Sequence, residues 1–312
     1  RCYGAGGVGD DAAPGWQELE ELVEGVQEKK EDKRVGLSLR LFEDQFRLHV
    51  LPILDDNYSF LLEHCESTEV VMVDPADPRM VMAHVMREHL SPTGILTTHH
   101  HWDHSGGNAT LCGDLDTEES KLTVVGLDER IPCVTARVAD GDEVEMFGGE
   151  LVATTIHTPC HTSGHTAFYV TPRDSGVGGG LLFAGDTLFS AGCGRFFEGD
   201  AEDMVRSLEK VLGAVTDDTL LLPGHEYTVA NLRFALSVDP GNEAAAQRLL
   251  WAERHQAVGA PTVPSTLGME KAFNPFLRLD SAEIRQSLGL GTEASPVDVM
   301  RELRIRKDNF TT

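Results

Sequence analysis

A chain of 312 residues exceeds one average domain, so a main domain with a smaller companion is the natural partition. Hydrophobic residues make up 41% of it, no apolar run reaches the length of a bilayer span and mean hydropathy is negative, so no transmembrane segment is expected. The 26 basic against 51 acidic residues leave a formal charge of −25, which argues against nucleic acid as a partner because phosphate binding needs a basic face.

In chain order, residues 1–44 open Gly-rich and then show apolar spacing of three and four over 16–26, which predicts an amphipathic helix ending in the charged run Lys29 to Arg34; the stretch reads as an accessory extension. From Phe46 the pattern shortens to strands over 46–53, 58–63 and 69–73, separated by turn signals at Asp55-Asp56-Asn57 and Glu66-Ser67. Helical spacing over 77–90 stops at Ser91-Pro92, and 94–98 reads as a short buried strand. Further strands are predicted over 121–126, 143–147, 151–157, 166–171 and 181–184, with a Gly-rich loop over 173–180. After Pro223-Gly224 the character becomes helical over 228–238, 244–255, 281–288 and 296–306, which sets a domain boundary near 224. The order predicts an α+β class: an extension over 1–44, a layered domain over 45–224 and a helical domain over 225–312.

The chemistry concentrates in Thr98-His99-His100-His101-Trp102-Asp103-His104-Ser105, between a strand and a helix entry at Ser105-Gly106-Gly107, where α/β proteins place functional loops. Imidazole nitrogens and a carboxylate suit zinc, iron or manganese, and the H-x-H-x-D-H spacing sends alternate residues to opposite faces, so one loop can serve two metals. Additional ligands must then come from other strand ends. His161 lies in a Pro- and Gly-punctuated loop, Asp186 follows the apolar strand ending at Ala184, and His225 follows Leu220-Leu221-Leu222-Pro223-Gly224 in the same manner. The six cysteines, Cys2, Cys65, Cys112, Cys133, Cys160 and Cys193, contain no C-x-x-C pair, so no disulfide framework or thiolate zinc site is indicated and a reducing compartment fits. The first residue is Arg1, so a removed targeting segment stays open beside a cytoplasmic location, mitochondria or another organelle being the alternatives.

H-x-H-x-D-H, C-H-T-S-G-H (160–165), G-D-T (185–187) and G-H-E-Y (224–227) resemble the metallo-β-lactamase superfamily. T-H-H-H-W-D-H-S-G-G-N, A-G-C-G-R-F-F-E-G (191–199), P-G-H-E-Y-T (223–228), N-P-F-L-R (274–278) and R-x-x-K-D (304–308) are similar to its glyoxalase II (hydroxyacylglutathione hydrolase) family over about 46–310. The resemblance implies an αββα sandwich with an all-helical C-terminal domain. It implies two divalent metals, zinc or else iron or manganese, with His99, His101 and His161 holding the first, Asp103, His104 and His225 the second, and Asp186 bridging them. His100, His157 and His165 fall outside that ligand pattern and read as satisfied polar groups; Cys160 and Cys193 read as packing residues.

The implied activity is hydrolysis of S-(2-hydroxyacyl)glutathione, S-D-lactoylglutathione giving D-lactate and glutathione in methylglyoxal detoxification, with Asp186 and Asp103 catalytic. The implied glutathione contacts are Arg195, Phe196, Phe197, His225, Tyr227, Arg304 and Lys307. Charge spacing alone leaves Arg304 and Lys307 equally readable as a solvated helix face. Phe197 stands where some relatives carry Tyr, which removes one hydroxyl contact. A monomer without membrane or nucleic-acid partners is expected; the alternatives are another hydrolase of the superfamily, a mono-iron sulfur dioxygenase, or a non-enzymatic metal-binding module.

Overall fold

The computed structural model describes residues 23–24, 36–118, 120–173 and 179–311. Side-chain alternation along the strands decides the layering. In Phe46–Ile53, Phe46, Leu48 and Val50 enter one core while Leu51 and Ile53 enter another; in Asn57–His64, Tyr58, Phe60 and Leu62 join the first and Leu61 the second. A sheet apolar on both faces must be covered on both.

Among the described residues the first sheet runs in sequence order through Val23–Glu24, Leu37–Leu41, Phe46–Ile53, Asn57–His64, Glu69–Val73, Ser91–Leu96, Thr123–Gly126 and Ala136–Arg137. The second has the order Ser265–Thr266, Leu220–Pro223, Leu181–Gly185, Thr166–Pro172, Leu151–His157, Glu143–Met146. Between them lies a core of Leu48, Phe60, Val73 and Leu96 from one sheet and Ala153, Phe168, Phe183 and Leu222 from the other. Helices Pro78–Glu88 and Asn108–Leu115 cover the outer face of the first sheet through Val81, Val85 and Leu111. Helix Ala201–Ala214 covers the second through Met204, Leu208 and Val211, and the C-terminal helix Pro296–Asp308 adds Val299, Met300 and Leu303 to that same core. This is the expected αββα sandwich with a helical C-terminal region, except that the region lends strand Ser265–Thr266 to the edge of the second sheet.

Four readings change. The helix expected over 16–26 lies outside the described residues except for Val23 and Glu24, which are paired antiparallel with Leu39 and Ser38; the open edge of Leu37–Leu41 offers backbone partners there that a local helix forgoes. Leu37–Leu41 itself, inside the stretch read as an extension, is a strand of the first sheet. Ser91 and Pro92, read as a helix stop, already belong to the next strand, where a register shift at Val70–Val71 accommodates the proline. Helix Ala201–Ala214, for which no element was expected, is closed by a capping box of Asp200 and Asp203. The loop over 173–180 falls largely outside the described residues.

The topology positions the site. Glu69–Val73, Ser91–Leu96 and Thr123–Gly126 are parallel neighbours, as are Leu181–Gly185 and Leu220–Pro223, so Asp74, the histidine loop, Asp186 and His225 leave strand C-termini at one edge of the sandwich. A backbone hydrogen bond from Tyr58 N–H to the Gly224 carbonyl, 2.8 Å, joins the two sheets there.

Candidate metal centre

His101 opens the four-residue helix Trp102–Ser105, which carries Asp103 and His104. His99 Nε2 and His161 Nε2 each lie 3.1 Å from His101 Nδ1. His104 Nε2 lies 3.3 Å from His225 Nε2, and Asp103 Oδ2 is 3.9 and 3.5 Å from those two nitrogens. Asp186 reaches both clusters: Oδ1 is 3.3 Å from His104 Nε2, and Oδ2 is 3.4 Å from both His161 Nε2 and His225 Nε2. Among the described residues, three groups bring their donor atoms within 4.8 Å of one another: His99, His101 and His161; His99, His104 and Asp186; Asp103, His104 and His225. All seven sequence candidates therefore converge.

The donor set fits divalent cations. Asp186 Oδ1 is buried without a hydrogen-bond partner, its 3.3 Å approach to His104 lacking hydrogen-bond geometry. Burial pushes the Asp186 carboxyl up, yet His225 and His104 outweigh it and hold it ionised well below the usual range. A buried, charged oxygen facing ring nitrogens is what a cation satisfies. Burial, reinforced by neighbouring imidazoles, keeps His99 far below its ordinary value and brings His101 down to about 4, so both present lone pairs. Burial also depresses His104 and His225, but Asp186 with Asp74 or Asp56 reverses it, raising His104 well above the usual value and His225 to about 9.

Four of the five candidate-ligand imidazoles are held from behind. His104 Nδ1 donates to Asp74 Oδ2 at 2.9 Å, His225 Nδ1 to Asp56 Oδ1 at 2.9 Å and His161 Nδ1 to the Arg195 carbonyl at 3.0 Å, while Thr98 Oγ1 is 3.1 Å from His99 Nδ1. These contacts leave the other ring nitrogen facing the centre. Asp74 and Asp56 were not among the sequence candidates. Asp74 follows the apolar strand Glu69–Val73 as Asp186 follows Leu181–Gly185, a likeness that the helix entry beginning at Asp77 obscured; Asp56 sits in a run read as a turn. Gly224 lets the backbone pass: a Cβ there would meet His104 Cε1 at 2.5 Å and Asp186 Oδ1 at 2.7 Å.

The three histidines read as lying outside the ligand pattern face other groups, but His100 Nδ1 is buried without a hydrogen bond among the described residues, so it is not the satisfied polar group expected. His165 is buried, accepts the Asp186 N–H at 3.0 Å and contacts the Thr158 and Thr187 hydroxyls; His157 Nε2 donates to the Ser163 carbonyl; His100 Nδ1 lies 3.4 Å from Asp128 Oδ2. Cys160 and Cys193 are buried, and burial lifts the Cys193 thiol to about 11 and Cys160 higher still, which suits packing.

A cavity of about 700 Å³ opens over the cluster, walled by Arg195, Phe197, Tyr227, Arg304 and Lys307. The Tyr227 ring stacks on His225 at 4.7 Å, and its phenol is pushed up chiefly by burial. Arg304 donates to the Cys193 carbonyl at 3.0 Å and to Asp308, 3.0 and 2.8 Å; the exposed Arg195 lies 3.6 Å from the same carboxylate. Lys307 Nζ donates to the Ala230 carbonyl between the rings of Phe234 and Phe310, and burial with nearby Arg304 lowers it to about 8. Phe197 is exposed and edges against His161 and His101. Phe196 stands apart: half-buried, it packs on the C-terminal core and borders a neighbouring depression with Arg301 and Ile305.

The metallo-β-lactamase superfamily model matches residues 53–225 and the model of the hydroxyacylglutathione hydrolase C-terminus matches 226–310. The chain is 42% identical to the cytoplasmic hydroxyacylglutathione hydrolase of Arabidopsis thaliana, over 83% of this chain and 97% of that protein. It is 41% identical to a hydroxyacylglutathione hydrolase-like protein of Gallus gallus, over 85% and 90%. Among solved structures, a BLEG-1 B3 metallo-β-lactamase (19% identity, 74% of this chain and 99% of that one) and ETHE1 from Myxococcus xanthus (23%, 83% and 97%) each superpose with a TM-score of 0.53, a likeness of fold. With its sandwich, its His/Asp cluster and both halves matched, the chain belongs to the hydroxyacylglutathione hydrolase family of the metallo-β-lactamase superfamily.

Proposed function

We propose that the protein is a binuclear metal-dependent thioester hydrolase that converts S-D-lactoylglutathione and related S-(2-hydroxyacyl)glutathiones to the hydroxy acid and glutathione. The observation that carries this reading is Asp186, one carboxylate within 3.4 Å of nitrogens from both histidine sets. His99, His101 and His161 would hold one divalent metal and Asp103, His104 and His225 the other, with zinc the first candidate and iron or manganese next. The second triad favours this over the mono-iron dioxygenase alternative, which does not need it. The Arabidopsis relative is named cytoplasmic, the compartment we propose; among the described residues no helix is long and apolar enough to cross a membrane.

When bound, such ions supply Lewis acidity, lowering a water's pKa towards neutrality and withdrawing charge from a carbonyl. The chain's own groups do the rest. Asp74, Asp56 and the Arg195 carbonyl hold the protons on the far ring nitrogens, so the near ones are the nitrogens that would give up a proton in exchange for a bound metal. Asp103, a quarter exposed at the cavity wall, is positioned to take a proton from the entering water. Arg304 and Lys307 draw the carboxylates of glutathione, and Tyr227 offers a phenolic hydrogen bond. The leaving thiolate, with a conjugate-acid pKa of about 8.5, needs no dedicated proton donor.

The test is hydrolysis of S-D-lactoylglutathione by protein supplied with zinc, iron or manganese, alongside its metal content. Two metals per chain and turnover lost on chelation are expected, and Asp186→Asn should lower kcat by more than about 100-fold while the protein still melts cooperatively. A stoichiometry fixed at one metal in every active preparation overturns the binuclear reading, and wild-type turnover in Asp186→Asn overturns the bridging role.

A further inference from the structure

Three loops meet beside the metal centre at a point that none of the roles above uses. Arg130, on the loop after Thr123–Gly126, donates Nη1 to Glu198 Oε1 at 2.6 Å and Nη2 to Glu198 Oε2 at 2.9 Å, a two-pronged contact. The same guanidinium binds both Asp128 oxygens through Nε, 3.0 and 2.9 Å, and reaches Ser163 Oγ at 3.1 Å. Ser163 gives Glu198 Oε2 its N–H at 2.7 Å and its hydroxyl at 2.8 Å, and Glu198 N–H donates to the Cys160 carbonyl at 3.1 Å. Behind them the loops already touch, since a Cβ on Gly164 would lie 2.4 Å from Asp128 Oδ2.

An isolated surface ion pair contributes little, and Arg130 and Glu198 are 41% and 31% exposed. Here the pair does something a lone bridge does not: it closes a ring through segments that have no regular structure of their own. His161 is two residues from Ser163, and Arg195 and Phe197 shortly precede Glu198. The Arg195 carbonyl accepts His161 Nδ1–H, and the Phe197 ring lies 5.1 Å from the His161 ring. Released from Glu198, the 195–199 loop would carry both away from His161.

We propose that the Arg130–Glu198 pair is a positioning latch for thioester hydrolysis: it presses the 195–199 loop on the 160–165 loop, so that His161 presents Nε2 to the centre and Arg195 and Phe197 shape the thiol side of the cavity. The latch rests on the hydrolase reading above. Neither residue touches substrate or metal, so both act through His161, Arg195 and Phe197.

The test uses the metal-loaded full chain with Arg130→Met, Glu198→Gln, their double variant and Arg130→Lys, each checked for cooperative melting. Two quantities are read: the rate at which a chromophoric chelator removes metal without substrate, and KM and kcat for S-D-lactoylglutathione. Each single variant is expected to speed metal release and raise KM about 3- to 10-fold with kcat within about 2-fold, and the double variant to fall short of the two single effects combined, because the shared Arg130–Glu198 contact is lost once. Arg130→Lys, a point charge without the fork, should fall between wild type and Arg130→Met, and it keeps the question answerable if the methionine variant does not fold. Additive effects, or metal release and KM both unchanged in either single variant, overturn the latch. The release measurement needs no substrate, so absence of thioester turnover in the wild type would overturn the hydrolase reading separately.

Discussion

Asp74 serves two parts of the centre with one carboxylate. Its Oδ1 accepts the Thr98 N–H at 2.8 Å, and its Oδ2 accepts the Thr98 hydroxyl at 2.7 Å and His104 Nδ1–H at 2.9 Å, so the start of the histidine loop and the tautomer of His104 are fixed together. All three donors need an acceptor. An asparagine would turn an NH₂ group on at least one of them, leaving a buried donor unpaired. Asp74→Asn is expected to weaken metal binding and turnover by about 10- to 100-fold, the scale seen for groups that orient ligands; chelator competition showing wild-type affinity would count against it. The seven candidates of the centre were legible in the sequence because histidines in such density, or an aspartate ending an apolar strand beside Gly and Thr, have few other uses. Asp74 was hidden by its surroundings: Asp74-Pro75-Ala76-Asp77 precedes a helix, and Asp77 indeed caps it, so one aspartate of the pair looks like any helix entry.

At the scale of elements, the hairpin Leu188–Phe189 with Gly192–Cys193 carries Phe189 under Tyr227 and offers the Cys193 carbonyl to Arg304. The C-terminal region grips it through two buried side chains. Asn274 Nδ2 donates to the Phe189 and Gly192 carbonyls, both at 3.1 Å, and Glu270 accepts the Ala191 N–H at 2.8 Å and the Ser190 hydroxyl at 2.9 Å. Asn274→Ala would leave those carbonyls buried without donors, which costs about 1–3 kcal/mol. The expected result is a melting temperature lower by several degrees with a raised KM; an unchanged melting curve would show that water or repacking replaces the amide. The N-P-F-L-R motif marked this place without revealing its purpose, since the contacts it makes lie some eighty residues away in sequence. Leu37–Leu41 and Ala201–Ala214 were both missed although each carries a signal, the first the strict alternation of Leu with Ser and Arg, the second Asp200 followed by apolar residues at helical spacing. Two-residue strands such as Ser265–Thr266 were not, because their partners rather than their composition define them.

For the molecule as a whole, a formal charge of −25 disfavours an anionic substrate everywhere except where cations are gathered, and Arg195, Arg304 and Lys307 are gathered on one cavity. Deleting the helix that carries two of them is not a clean experiment, because Val299, Met300 and Leu303 complete the core beneath Ala201–Ala214. Titrating Lys307 is cleaner. Its value of about 8 lies below the ordinary lysine value of 10.5, so it is a cation below that pH and neutral above it, burial and then Arg304 being the causes. For a substrate bound through carboxylates, kcat/KM should therefore fall as pH rises through about 8, and the fall should belong to kcat/KM rather than kcat because a bound carboxylate restores the proton. A thioester of similar size lacking both glutathione carboxylates experiences every other titration of the site but not this one, so the ratio of the two kcat/KM values isolates Lys307. That ratio should favour the glutathione thioester at pH 7, decline above pH 8, and be eroded by salt, more strongly below pH 8 than above it. In Lys307→Ala the ratio should be low and independent of pH. A ratio that stays constant from pH 7 to pH 9 in the wild type, or a pH-dependent ratio that persists in Lys307→Ala, would remove Lys307 from the substrate site and leave Arg304 as the charge that selects the thiol.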